Sequence, residues 1–242
     1  MKIGIGVCTY NRPKHIDLWL IQLNNTWGRK ETFGLLPYEN KSIAIGDDTK
    51  IFIADDSQDR KGIAYRKNEC LKALKDCDYI FLFDEDCFPI KDGWADFFIN
   101  AHKESGQHHF MYLKETPNIK GIKTVGNIKE YNNCAGCMMF LTKEVIEKVG
   151  GYNSAYGFYG FEHAGYSDRI HSAGLTPLGK YTCPIGAGEY IYSLDLDNHL
   201  PFNKQLKHEP SMANEIQNIP TYVALNKEIY YHDIQTIYQP LE

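Results

Sequence analysis

Tyr79-Ile80-Phe81-Leu82-Phe83-Asp84-Glu85-Asp86 is the stretch on which the fold turns. Five apolar or aromatic residues run without a polar break and stop at three carboxylates. The run is short for a helix and does not alternate as a half-exposed strand would, so it predicts a strand buried on both faces. Two upstream segments read alike. Ile51-Phe52-Ile53-Ala54 ends at Asp55-Asp56-Ser57, and residues 2–8 form a glycine-interrupted apolar strand ending at Thr9-Tyr10-Asn11-Arg12-Pro13. A helix is expected from Pro13 to about Leu23. A second covers 62–75, where Ile63, Cys70, Leu71 and Leu74 recur at near-helical spacing, and a third lies near 92–102. Residues 24–50 read as an irregular excursion. Buried strands alternating with helices imply an open, mostly parallel sheet with helices on both faces, an α/β fold in a single domain. Such sheets bind ligands beyond the carboxyl ends of their strands. Polar clusters at 9–12, 55–57 and 84–86 all fall there, which suggests one shared site.

The second half is more mixed. A strand is expected over 134–141, a short helix over 143–149, a break at Gly150-Gly151, and a glycine- and aromatic-rich loop over 152–162. A helix follows over 163–173, with Gly174 in a stop position. Beyond about 185 the pattern fades, but Ile191, Leu194, Phe202, Val223 and Tyr230 are enough apolar residues to pack the tail on the body.

The chain has 242 residues, 43% hydrophobic and 24% charged, enough for a full core without disulfide or metal staples. It has no internal repeat and no apolar run of membrane-spanning length. Its first residues read as a strand rather than an export signal. A net charge of −5 disfavours a protein that lives on the nucleic-acid backbone. Seven cysteines at irregular spacings make a poor disulfide framework, so reduced thiols and a cytoplasmic location are expected. Cys134-Ala135-Gly136-Cys137 has a metal- or redox-type spacing but lacks a second pair, and small residues entering a strand is the better reading.

Asp84 and Asp86 are separated by one residue at a strand end and can face one cavity together. Carboxylates of this kind suit Mg²⁺ or Mn²⁺ carried with a substrate diphosphate. The ordinary alternative is a solvated acidic turn. Asp55 and Asp56 can accept hydrogen bonds from a base or a ribose, or simply close a turn. Lys61, Arg66 and Lys67 can meet a diphosphate, or at least one of them can be a solvated helix face. Glu162-His163, opening a helix after a glycine-rich aromatic loop, is a candidate acid–base site, against a helix-terminal Glu and a core-edge His. His199, His208 and His232 are scattered through the tail, and one of them can close over a bound metal.

Taken in order, Ile5-Gly6-Val7-Cys8-Thr9-Tyr10-Asn11-Arg12, Ile53 to Ser57, Gly62 to Leu71 and Phe83 to Asp86 resemble the nucleotide-sugar-binding half of GT-A fold glycosyltransferases, family 2 above all. Residues 136–170, through Val149-Gly150-Gly151-Tyr152 to Tyr159-Gly160-Phe161-Glu162, resemble the acceptor segment of galactosyltransferase-like members. The resemblance implies a GT-A, Rossmann-like sheet, mixed but mostly parallel. It implies a catalytic domain over 1–185, with a donor half at 1–90 and an acceptor half at 91–185, and a packed C-terminal extension over 186–242. Thr9, Tyr10, Asn11, Arg12, Asp55, Asp56, Arg66 and Asp84 are then the expected nucleotide-sugar contacts. Asp84, Asp86 and His199 are the expected ligands of Mn²⁺ or Mg²⁺. Where the family has Glu-Asp, this chain has Glu162-His163, so the base is His163, Glu162 or Asp168.

The implied activity is transfer of a sugar from a nucleotide-sugar, UDP-linked by expectation, to a hydroxyl of a glycan, a protein or a modified nucleobase. Inversion is expected and retention stays open. No stable membrane insertion is expected. The competing readings are a nucleotidyltransferase, against which the Thr-Tyr-Asn-Arg-Pro loop counts because it lacks glycines, and a nucleotide-sugar-binding module that has lost catalysis.

Overall fold

The computed structural model describes residues 1–27, 41–45, 48–197 and 219–241, with side chains omitted over 41–45. The central sheet has the order β2-β3-β1-β4-β9-β6, from β1 (Ile3–Thr9), β2 (Lys41–Ile45), β3 (Thr49–Asp55), β4 (Tyr79–Asp84), β6 (His109–Met111) and β9 (Met138–Thr142). β1 lies parallel to β3 on one side and to β4 on the other, while β2 and β9 run antiparallel to their neighbours. The sheet is therefore mixed and mostly parallel. The chain runs outward from β1 to β3, then returns past β1 to β4, and strand order reverses between β1 and β4. That is the position at which open α/β sheets bind ligands.

Both faces of β1 are covered, and all seven of its residues are buried. Gly4 and Gly6 let helix α2 (Ile63–Leu74) lie directly on the strand. A Cβ at Gly6 would come within 2.7 Å of Cys70 Cβ and 2.8 Å of Leu82 Cδ2. On the opposite face, Phe81 and Phe83 of β4 meet Trp94 and Phe98 of α3 (Trp94–Ser105) at ring separations of 4.7–6.1 Å. α1 (Pro13–Thr26) starts on Pro13, whose fixed φ and missing N–H suit a first helical position. Its Trp19 donates to the carbonyl of Cys87 at 2.8 Å, tying α1 to β5 (Cys87–Pro89).

The expected irregular excursion over 24–50 contains β2 and the start of β3. The expected strand over 134–141 is confined to 138–142, because Cys134 to Cys137 form an entry loop. A second small sheet joins β7 (Gly121–Val125), β8 (Ile128–Tyr131) and β10 (Thr182–Pro184), and β11 (Ile191–Ser193) pairs with β5. Helices α4 (Lys143–Val149) and α5 (Glu162–Ser172) form within a residue of the expected 143–149 and 163–173. The tail carries α6 (Ile219–Asp233), which packs on α5. Asp233 of α6 pairs with Arg169 of α5 at 3.2 Å, both fully buried. No described helix is long and apolar enough to cross a membrane.

Candidate active site

A cavity of about 350 Å³ opens at the carboxyl ends of β1 and β4. Cys8, Thr9, Tyr10 and Arg12 line it from the end of β1. Asp56, Arg60, Gly62, Ile63 and Arg66 line it from the β3–α2 connection, and Asp84, Glu85 and Asp86 from the end of β4. Phe158, Tyr159, Glu162, His163, Asp195, Ile219 and Tyr222 complete the wall, with Tyr222 5.8 Å from the Phe158 ring. Residues 154 positions apart in sequence thus share one wall with the β1 and β4 ends.

On the β1–β3 side the polar residues are tied into the loops. Asp56 accepts from the amides of Lys61 and Gly62 at 2.7 and 2.9 Å and from Arg66 Nε at 2.7 Å. Arg66 also pairs with Glu69 at 2.7 Å. Asp55 accepts from the amide and the hydroxyl of Ser57, and the Ser57 hydroxyl accepts from the amide of Asn11 at 2.9 Å. Asp55 and Asn11 therefore shape the loop behind the cavity wall rather than line it. Arg60 lies between the rings of Tyr10 and Phe158, 4.3 and 4.6 Å from their centroids, at the cavity rim.

The acidic end of β4 is held by two cations of different kinds. Arg12 Nη1 lies 3.1 Å from Asp86 and 3.6 Å from Glu85. Lys67, fully buried, lies 3.0 Å from Asp84 and donates to the Gly136 carbonyl at 2.7 Å. Burial pushes the Lys67 ammonium down, but Asp84 and other nearby acids more than offset that, so it stays charged. Burial, then the charge of Asp86, lifts Glu85 to about 8. Burial and Asp84 raise Asp86, and Asp86 in turn raises Asp195. The Leu194 amide donates to the Asp86 carbonyl at 2.9 Å, which brings Asp195 to this cluster.

Four carboxylates thus share two cations, an excess of negative charge that a divalent ion matches, and their oxygens are the donors Mg²⁺ and Mn²⁺ prefer. Among the described residues no three metal-ligating side chains already converge on one point. A cation here needs phosphate oxygens to complete its shell, as Mg²⁺ commonly does.

Glu162 opens α5 and is only 3% exposed. Burial lifts its carboxyl to about 7, while the nearby backbone and the charge of Lys67 pull the other way. Its Oε1 lies 3.1 Å from His163 Nε2, and its Oε2 is buried without a hydrogen-bond partner. His163 packs against Gly136, where any Cβ would overlap its ring. Burial, then the charge of Lys67, holds His163 well below the usual histidine range, so it is a neutral imidazole at pH 7.

The sequence-predicted residues divide as follows. Thr9, Tyr10, Arg12, Asp56, Arg66, Asp84, Asp86, Glu162 and His163 come together around the cavity. Asp168 does not: one and a half turns along α5, it pairs with Lys180 at 2.9 Å and accepts from Tyr230 at 2.6 Å. Asp168 is thus not among the residues that line the cavity. His199 and His208 lie outside the described residues, and His232 is exposed on α6. Lys67, one of three residues read as a diphosphate contact or a solvated face, is neither solvated nor at the rim. Sequence reasoning missed Cys8, Glu85 as a wall residue, Arg60, Asp195, Ile219 and Tyr222. Asp195 left a faint trace in the alternation of Ser193-Leu194-Asp195-Leu196-Asp197.

A mixed sheet with its cavity at the β1–β4 reversal and acidic residues at the end of β4 is the GT-A architecture, and a solved structure of that class bears this out. The mannosyltransferase of Pyrobaculum calidifontis, in complex with GDP-mannose and Mn²⁺, superposes with a TM-score of 0.51 over 77% of this chain and 55% of its own, at 12% identity. Residues 118–192 match the family model described as the N-terminal domain of galactosyltransferase. An uncharacterized glycosyltransferase of Acanthamoeba polyphaga mimivirus is 30% identical over 48% of this chain and 48% of its own length. The chain therefore has the GT-A fold and carries a segment of glycosyltransferase type, and it spans about half the length of the curated relative it matches.

Proposed function

We propose that the protein transfers a sugar from a nucleoside-diphosphate sugar to an acceptor hydroxyl, with Glu162 as the general base. One observation carries the reading: a buried carboxyl lifted to about 7, with one oxygen unpaired, faces the same cavity as the acidic end of β4. The nucleoside occupies the side lined by Thr9, Tyr10, Asp56 and Arg66, in the donor half over residues 1–90. The diphosphate lies toward Asp84 and Asp86. Asp86 and Asp195, with Asp84, would hold Mn²⁺ or Mg²⁺, which would supply neutralisation of charge on the leaving diphosphate.

Glu162 takes the proton of the acceptor hydroxyl, a task its raised pKa suits near neutral pH. The acceptor oxygen forms a bond to the anomeric carbon as the bond from that carbon to the phosphate oxygen breaks. The nucleoside diphosphate leaves with the electron pair, and the configuration inverts. His163, neutral, stands with Nε2 3.1 Å from Glu162 Oε1; an imidazole so reluctant to take a proton is the poorer base. UDP is the expected nucleotide and a glycan, protein or nucleobase hydroxyl the acceptor.

The test is calorimetric titration of UDP, GDP and CDP with and without Mn²⁺, on wild type and Asp86→Ala. Metal-dependent binding of one nucleotide that weakens sharply in the variant supports the reading. No binding of any nucleotide under either condition sinks it.

A further inference from the structure

One side chain of α6 clasps the loop that delivers Glu162 by three hydrogen bonds. Residues 157–161 take unusual backbone angles, with φ of +63° at Gly157, +103° at Gly160 and +68° at Phe161. A left-handed conformation at a bulky aromatic residue is strained and needs surrounding structure to hold it. The support comes from α6. Asn226, 4% exposed, donates its side-chain amide to the carbonyls of Tyr156, Tyr159 and Gly160 at 2.7, 2.8 and 2.9 Å. Gly160 stands two residues before Glu162, so the clamped carbonyls set the course of the chain as it enters α5. One residue on, the Phe161 ring packs on Tyr230 of α6 at 5.2 Å. The first turn of the same helix puts Ile219 and Tyr222 in the cavity wall.

We propose that Asn226 is a positioning residue for the transfer reaction: through the Gly160 peptide it fixes where the Glu162 carboxylate stands. The proposal rests on Glu162 being the base. A buried amide facing three carbonyls is replaceable by nothing that lacks its N–H groups. In Asn226→Asp the shape is kept, but an oxygen is turned toward the carbonyls it formerly satisfied. The loop then relaxes, and the carboxylate moves off its attack geometry.

The experiment compares wild type, Asn226→Asp, Asn226→Ala and Leu225→Ala, whose side chain is exposed on the neighbouring position of α6. Hydrogen exchange across 156–163 and nucleotide affinity are measured on all four, with kcat for transfer. Both Asn226 variants are expected to exchange faster across 156–163 than wild type. Their kcat should fall about 10–100-fold, the scale of small misplacements of a catalytic group, with nucleotide affinity within about twofold, and Leu225→Ala should match wild type. Unchanged exchange across 156–163 overturns the proposal, as does a kcat loss matched by equal loss of nucleotide affinity or shared by Leu225→Ala. If wild type transfers no sugar, the reading of Glu162 as base falls, while the exchange data still judge the clamp.

Discussion

At the residue scale the chemistry concentrates on Glu162 and its neighbour. The carboxyl is lifted to about 7 by burial, so below that pH it carries a proton and cannot accept another. Transfer is expected to rise with pH on the acidic side with an apparent pKa near 7, about tenfold per pH unit below it. Glu162→Gln should lower kcat by about 10²–10⁴-fold, the usual range for a general base, and erase that limb. Rates from pH 5.5 to 8.5 on both proteins check this; a limb that survives in the variant belongs to another group. His163, by its position after Glu162, is one of three candidate bases in the sequence, with Glu162 and Asp168. Only the structure shows that burial and Lys67 keep it neutral, because neither neighbour is near it in sequence.

At the scale of elements, two contacts between distant segments hold the site. Gly136, in the loop leading to β9, lies flat against the His163 ring at the start of α5 and accepts from Lys67 of α2. Gly136→Ala forces the imidazole away from Glu162. We expect a loss of about 1–3 kcal/mol, the usual cost of overpacking, and a fall in kcat beyond what nucleotide affinity shows, checked by denaturant unfolding with steady-state rates. The Arg169–Asp233 pair joins α5 to α6 with both side chains fully buried, and Asp233 also accepts from Tyr156 at 2.9 Å. Asp233→Ala leaves a buried guanidinium without its counter-ion and should cost about 3–5 kcal/mol in unfolding free energy. A loss below about 1 kcal/mol would show that α6 does not depend on the pair.

At the scale of the whole molecule, charge is unevenly placed. The net charge is −5, yet the cavity gathers Asp84, Glu85, Asp86 and Asp195 against Arg12 and Lys67. Glu85 and Asp86 have folded pKa values raised above their unfolded ones. Their stabilising influence is fully present below the unfolded values and is lost as pH rises through the folded ones, which for Glu85 is about 8. A divalent ion relieves that cost only where the groups are ionised. With UDP present to supply phosphate oxygens, Mn²⁺ is therefore expected to raise Tm more at pH 8 than at pH 5.5, and a chelator should abolish the difference. Equal shifts at both pH values, or none, would show that the ion does not bind at this cluster.

The sheet was legible because its strands announce themselves locally. Unbroken apolar runs ending at polar clusters mark parallel strands covered on both faces, helical spacing marks α2, and the Gly174 stop marks the end of α5. The nine cavity residues that sequence reasoning found sit at the ends of such elements, where the chain alone says that they face one edge. The strand hidden in the 24–50 stretch, the three-residue strands and α6 left little trace, because short or edge elements are fixed by partners far along the chain. Local composition thus determined the three parallel strands β1, β3 and β4 and which of their ends carry chemistry. Tertiary packing alone decided that Asp195, Tyr222 and Asn226 reach the same cavity or its loop, that Asp168 turns away from it, and that Lys67 is buried. Those outcomes depend on burial and on charges brought close by the fold, and neither is a property of neighbouring residues in the sequence.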